Sequence, residues 1–334
     1  MDRVIHNRGE VAEKTKKKIL SIIEKVNYSP DVLASALATK KTYRFAILIP
    51  KVQDDSSFWK APLTGMKKAI SEINHFGVDV AYFLFDLFDP KSFQQQSKKI
   101  LELKPDGILM APVQYSQSLE FARLCNEYNI PFALINSNIE ELNYLSYIGQ
   151  DSEQSGFLAA KIMSLGFPEG ADILVVNISQ QLANHRHIIK RNKGFESYFR
   201  SHNESDNRIY TINILDTGQD TINKYLHEAF TKYKKIGGLF IPSSRVFKVA
   251  SYLKSNLIKV RLIGYDLTEE NIPYLEDGTI DFLISQKPVD QGYYGIMALL
   301  NHLVLKKGYR KNFYLPIDVI TKENLQYYIE SLNQ

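Results

Sequence analysis

RFAILIPKVQDDSSFWKAPLTGMKKAISEINHFGVDVAYFLF, residues 44–85, decides the fold. It opens on a near-continuous apolar run, RFAILIP (44–50), passes through a helical pattern near 60–76 and ends on a second run, VDVAYFLF (78–85). Apolar strands separated by amphipathic helices mark a parallel sheet covered on both faces. Outward from this unit the alternation continues. DGILMAP (106–112), PFALIN (131–136), SYIG (146–149), ADILVVNI (171–178) and RIYTINIL (208–215) follow. GGLFIP (237–242), KVRLIGYD (259–266), TIDFLIS (279–285) and FYLPIDVI (313–320) complete the series, with helical patterns between, among them a long one near 288–307. The fold class is α/β. About ten strands exceed one compact sheet. The first five are expected to build one unit and the next five a second, with the C-terminal pieces returning to them.

Sites in such folds lie at the carboxyl ends of the strands, where loops meet helix N-termini. Those positions hold Ser56, Phe58 and Trp59 after the first strand, then Asn136, Asp151, Arg191, Ser243, Asp266 and Gln286. Aromatic plates mixed with Asp, Asn, Arg and Gln suit a polyhydroxylated ligand, rings stacking on apolar sugar faces and polar groups pairing the hydroxyls. Trp59 is the only tryptophan, and by default a core residue; Asp266 ends a buried strand, where a carboxylate needs a partner. No Gly-rich phosphate loop, metal-ligand spacing or nucleophile motif is present, and His185 and His187 lack an evident acidic or cysteine partner. The chain is expected not to be an enzyme and to need no cofactor or metal.

The single cysteine, Cys125, rules out an internal disulfide and reads as a buried packing residue. No apolar run reaches the length of a membrane span, and the N-terminus is too polar for a secretory signal, so the chain reads as cytoplasmic. The net charge of +4 is unevenly placed. Residues 1–43 hold nine Lys or Arg against five acids, and the remainder balances at 32 of each. A basic appendage on a neutral body is the electrostatic footprint of polyanion binding, most often nucleic acid. Within it a helix is predicted from about Ala12 to Val26, with Ile19, Ile23 and Val26 as its apolar stripe. NYSPDVLASALATKK (27–41) adds a short helix, Ser29 as N-cap and Pro30 at its first position, that is marginal alone in water.

Three stretches together resemble the lactose-repressor family of bacterial transcription regulators. They are VIHNRGEVAEKTKKKILSIIEKVNYSPDVLASALATKKT, GMKKAISEINHFGVDVAYF and VRLIGYDLTEENIPYLEDGTIDFLISQKPVDQGYYGIMALLNHL. The resemblance implies a partial helix-turn-helix over 1–26, a hinge helix over 27–43, and a two-lobed, type I periplasmic-binding-protein-like body over 44–334. One lobe would comprise about 44–145 and 286–316, the other about 146–285 and 317–334. It further implies a homodimer on a pseudo-palindromic operator, its affinity set by a sugar or sugar derivative. Leu37 would wedge into the minor groove, Asn7, Tyr28 and Ser29 would approach phosphates, and Arg3 would read a base. The ligand residues of sugar-binding relatives fall on Ser56, Phe58, Trp59, Arg191, Asp266 and Gln286. Where many relatives carry Asp-Arg this chain has Asn136-Ser137, and Ser243 stands where they have Asn. The family's DNA-binding domain begins about 20 residues before Met1, so this start is expected to be a truncation or a misassigned initiation site. A transport-type solute-binding protein and a ligand sensor that has lost DNA binding are the alternatives.

Overall fold

In the computed structural model, β1 (Tyr43–Pro50) and β2 (Val78–Phe85) pair in parallel through the helix Lys60–Ile73, with Phe45 opposite Val80 and Ile49 opposite Leu84. The structure describes residue 4 and residues 11–25, 41–180, 182–202 and 207–332, the side chains of 23, 24, 54–56 and 183 excepted. Two units divide the chain, 1–41 and 42–334. In the first, the predicted helix forms as Glu13–Lys25 and leaves Leu20 and Ile22 nearly half exposed.

The second unit carries two six-stranded sheets. After β1 and β2 come β3 (Gly107–Met110), β4 (Phe132–Ile135), β5 (Ser146–Gly149) and β6 (Asp172–Ile178). They are followed by β7 (Ile209–Ile214), β8 (Ile236–Phe240), β9 (Arg261–Tyr265), β10 (Phe282–Ser285), β11 (Asn312–Tyr314) and β12 (Asp318–Ile320). The orders are β11-β5-β4-β3-β1-β2 and β12-β10-β9-β8-β6-β7. All pairings are parallel except β10 with β12. Interior strands β1, β3, β4 and β6 are buried almost throughout, whereas the edge strands β2 and β7 are only partly covered. Both interior and edge are apolar in sequence, so hydropathy did not separate them.

Two expectations are corrected. Ser146–Gly149, the fifth strand of the series but placed in the second lobe by the boundary the resemblance implies, extends the first sheet by pairing with Ala133–Ile135, and the chain leaves that sheet only after Gly149. FYLPIDVI is two strands rather than one. Pro316 has no N–H to continue a ladder, and across it the chain passes from β11, paired with β5, to β12, paired with β10 in the other sheet. The long C-terminal helical pattern holds as α-helix over Pro288–Leu299 and closes with a π turn at Leu300–Val304.

The chain therefore passes between the lobes three times: after β5, after β10 and between β11 and β12. One side chain joins all three passages. Gln150 Nε2 donates to the carbonyls of Ser285 (2.5 Å) and Pro316 (3.1 Å), while the Tyr147 hydroxyl holds the Gln150 carbonyl at 2.8 Å. In each lobe a pair of helices approaches to backbone contact over glycine. A Cβ on Gly65 would lie 1.9 Å from the Val289 carbonyl oxygen, and one on Gly292 2.0 Å from that of Pro62. In the second lobe a Cβ on Gly156 would lie 2.0 Å from the Arg191 carbonyl oxygen, and one on Gly194 1.8 Å from that of Glu153. The helix Arg186–Ser201 is thereby clamped to the helix Ser152–Ser164, which fixes where Arg191 points.

Candidate functional site

Both sheets turn the carboxyl ends of their strands toward a common cleft, and the loops there supply its walls. A cavity of about 60 Å³ is lined by Phe58, Trp59, Leu87, Val113 and Asn136 from the first lobe. The second lobe and its crossing contribute His185, His187, Ile188, Arg191, Ser243, Ser244, Arg245, Asp266 and Gln286. Seven residues singled out from sequence thus meet at one place: Phe58, Trp59, Asn136, Arg191, Ser243, Asp266 and Gln286.

Phe58 and Trp59 end a 3-10 turn after β1, packed edge to face at 5.2 Å. Trp59 is largely buried, and yet lines the cavity. Asp266 follows β9 in a left-handed conformation (φ 65°) and lines the cavity. Its Oδ1 accepts from the Gln286 backbone N–H at 3.1 Å and its Oδ2 from Gln286 Nε2 at 2.6 Å. Burial pushes this carboxyl up to about 6, against the opposing pull of Arg191 and Gln286. Asn271, wholly buried, pins the loops after β8 and β9 by donating to the Ser244 carbonyl (3.0 Å) and the Asp266 carbonyl (2.9 Å).

Arg191 is 1% exposed. Its guanidinium stacks 3.7 Å above the Tyr265 ring, whose hydroxyl is within 2.9 Å of Ser155 Oγ, and its Nη1 donates to the Pro242 carbonyl at 2.8 Å. Arg191 Nε and Nη2 and Ser243 Oγ are buried with no hydrogen-bond partner among the described residues. Buried polar groups are normally paired, so unpaired donors converging on one cavity mark where a ligand's acceptors belong.

His185 and His187 were not expected here. Their rings stack at 5.7 Å, with Nδ1 of His187 3.0 Å from Ser137 Oγ and Nδ1 of His185 3.3 Å from Ser179 Oγ. Burial, with the nearby Arg245, depresses His185 to about 4; burial, then Arg191, His185 and Arg245, holds His187 well below its usual value. A search for metal or catalytic partners passes over both. Their position after β6, by the same strand-end rule that picks out Arg191, was the available signal, as it was for Arg245.

Asp151 sits apart from the inner cavity. It is the N-cap of the helix Ser152–Ser164, accepting from the Gln154 N–H at 3.0 Å, and borders an outer cavity of about 340 Å³. That outer cavity also takes in Ser137, Lys190, Tyr314 and His187, which borders both. Lobe-to-lobe contacts ring the cleft: Lys60 with Glu269 (2.5 Å), Ser57 with Glu270 (2.9 Å), Lys190 with Glu140, and Arg186 over the Tyr115 ring (4.2 Å). Cys125 is buried as expected, its thiol pushed up to about 12 by burial. Arg3, Asn7, Tyr28, Ser29, Leu37 and the Ser56 side chain lie outside the described residues.

Residues 45–307 match the family model described as a periplasmic binding protein domain. The chain is 27% identical over 157 residues to the "Probable HTH-type transcriptional repressor ExuR" of Bacillus subtilis (strain 168), which covers 46% of this chain and 44% of that one. It is 29% identical over 202 residues to the xylose/arabinose-binding protein XylF of Sulfolobus acidocaldarius, covering 56% and 46%. The chain thus spans about half the length of the curated relatives it matches. Among solved structures, a "putative LacI transcriptional regulator from Bacteroides fragilis" aligns with a TM-score of 0.76 at 30% identity, over 86% of this chain and 100% of that one. These relatives are regulators and a sugar-binding protein, not enzymes. Among the described residues no helix is long and apolar enough to cross a membrane. A family match over most of the length, on two parallel sheets facing a shared cleft, places the chain in the periplasmic-binding-protein domain family, with LacI-type transcriptional regulators among its relatives.

Proposed function

We propose that this protein is a transcriptional regulator whose affinity for operator DNA is set by a polyhydroxylated effector held between the two lobes. The observation that carries the effector half is the inner cavity. There Phe58 and Trp59 line one cavity with buried donors of Arg191 and Ser243 and with the Asp266–Gln286 pair. Rings take the apolar faces of a sugar, and a fixed carboxylate and guanidinium take its hydroxyls. The DNA half is supported by the positive excess confined to residues 1–43 and by the regulators among the relatives. In this reading residues 1–26 read DNA, 27–43 form a hinge helix, and the body pairs as a homodimer on a pseudo-palindromic site. Effector binding shifts the lobes between two arrangements and so orders or releases the hinge.

A thermal-shift screen of the full chain against sugars, sugar acids and sugar phosphates tests the effector half. Stabilisation by a polyhydroxylated compound is expected, and Asp266→Ala should abolish it. A complete screen without a hit, or a hit indifferent to that substitution, overturns this use of the cleft. The likeness to XylF supports a second reading, a solute-binding protein of a sugar transport system. Steeply salt-dependent binding to a symmetric DNA site separates the two, since only the regulator requires it. A sensor that has lost DNA binding would bind effector and show no such salt-dependent complex.

A further inference from the structure

We propose that the effector is a neutral disaccharide or longer saccharide, one end gripped in the inner cavity and a second sugar unit seated in the outer one. This rests on the reading of the cleft as a polyol site and extends it to a second subsite.

Size is the first argument. The inner cavity holds about 60 Å³, well below the roughly 300–1,000 Å³ of ordinary small-molecule sites, whereas the outer one holds about 340 Å³. The two are neighbours. His187 lines both, and the chain-adjacent pairs Asn136–Ser137 and Lys190–Arg191 put one residue in each. Like the inner cavity, the outer one draws its walls from both lobes, Asn138 and Tyr314 from the first, Glu153 and Lys190 from the second. A unit bound there also ties the lobes together.

The chemistry of the outer wall is the second argument. Gln150 is 3% exposed, and its Nε2 is committed to the carbonyls of Ser285 and Pro316. Its Oε1 is buried with no hydrogen-bond partner among the described residues, and so is Asn138 Oδ1. Both residues line the outer cavity, so its orphaned atoms are acceptors, the complement of the Arg191 donors in the inner one. Buried acceptors call for donors, which the hydroxyls of a sugar supply. The charges on this wall are already engaged: Glu140 with Lys190, Glu153 with Lys193 at 2.9 Å, Arg186 on the Tyr115 ring, and Asp151 on its helix cap. A wall matched in this way gains little from a charged ligand. Tyr314, half exposed and set edge to face on Tyr147 at 6.2 Å, adds a bare ring among these polar neighbours, where the apolar face of a sugar stacks.

Calorimetric titration of the full chain tests this with maltose, cellobiose, lactose and xylobiose against glucose, galactose and xylose. At least one disaccharide is expected to bind tenfold or more tightly than any of its component sugars. Tyr314→Ala should remove that advantage, and Tyr314→Phe, which keeps the ring, should retain it. Because Tyr314 is half exposed, its truncation leaves the core intact, which circular dichroism checks. Component sugars binding as tightly as the disaccharides, or an advantage that survives Tyr314→Ala, overturns the inference and leaves the sugar site standing. Binding by no member of the panel overturns both.

Discussion

At the scale of single residues the cleft is a set of ionisable groups held away from their usual behaviour by burial. His185 and His187 are kept neutral, His185 titrating near 4 instead of 6.5. The unfolded chain takes up these protons as pH falls through about 6.5, the folded chain only at lower pH. The stability they contribute is therefore complete above 6.5 and is lost as pH falls toward 4. The charged groups around them, Arg191 and Arg245, are both cationic and reinforce this direction. The double substitution His185→Gln/His187→Gln should flatten the decline of Tm between pH 6.5 and 4.5; an unchanged slope would show that neither histidine is linked to folding. Asp266 has the opposite sign: its carboxyl, raised to about 6, contributes stability at low pH that is lost as pH rises through 6. Sequence made Asp266, Arg191 and Gln286 legible because strand-end polar residues have few other uses. It did not reveal that Asp266 and Gln286 bond each other, nor that Asp151 spends its carboxylate on a helix cap, because spacing along a chain does not encode which side chains converge.

Among the elements, the alternation of strands and helices was readable from hydropathy alone, because parallel strands buried on both faces leave no polar register to confuse the pattern. The lobe crossings were not. A strand that ends one sheet and a strand that opens the next look alike until their partners are known, and only Pro316 hinted at the break in FYLPIDVI. The reciprocal glycines were equally silent. Alanine in a helix interior normally outperforms glycine by about 1 kcal/mol, so Gly156→Ala or Gly194→Ala would be expected to stabilise an isolated helix. Here the added methyl meets a backbone carbonyl of the partner helix at 2.0 Å or less, and backbone cannot step aside as a side chain does. Each substitution should instead destabilise by about 1–3 kcal/mol or more, read as a lowered denaturation midpoint. Gly156→Ala also presses on Arg191 itself, so effector affinity should fall with it. A neutral or stabilising result would mean that the helices separate at no cost.

For the molecule as a whole, the proposed regulator divides its work between a neutral body and a basic segment. Leu37, outside the described residues, is the test of that division. Leu37→Ala should weaken binding to a symmetric operator by tenfold or more, measured by fluorescence anisotropy, while calorimetric affinity for the effector stays unchanged. Equal loss of both would reduce residues 27–41 to a connector. Such a division requires that a small molecule in the cleft alter the geometry of the whole body, and that depends on how freely the lobes turn.

The three chain passages at Gln150 bear on that freedom. Because one carboxamide reaches the carbonyls of the other two passages, the covalent connections between the lobes are gathered near a single point instead of being spread along the cleft. Three tethers at separate places would act as springs, each stretched when the lobes rotate. Gathered together they act as an axle, and rotation about it lengthens none of the ladders on either side. The jaws then resist opening chiefly through what lies between them, the ion pairs at the rim and whatever occupies the cavity. A ligand of few atoms thus works with the leverage of the full length of each lobe.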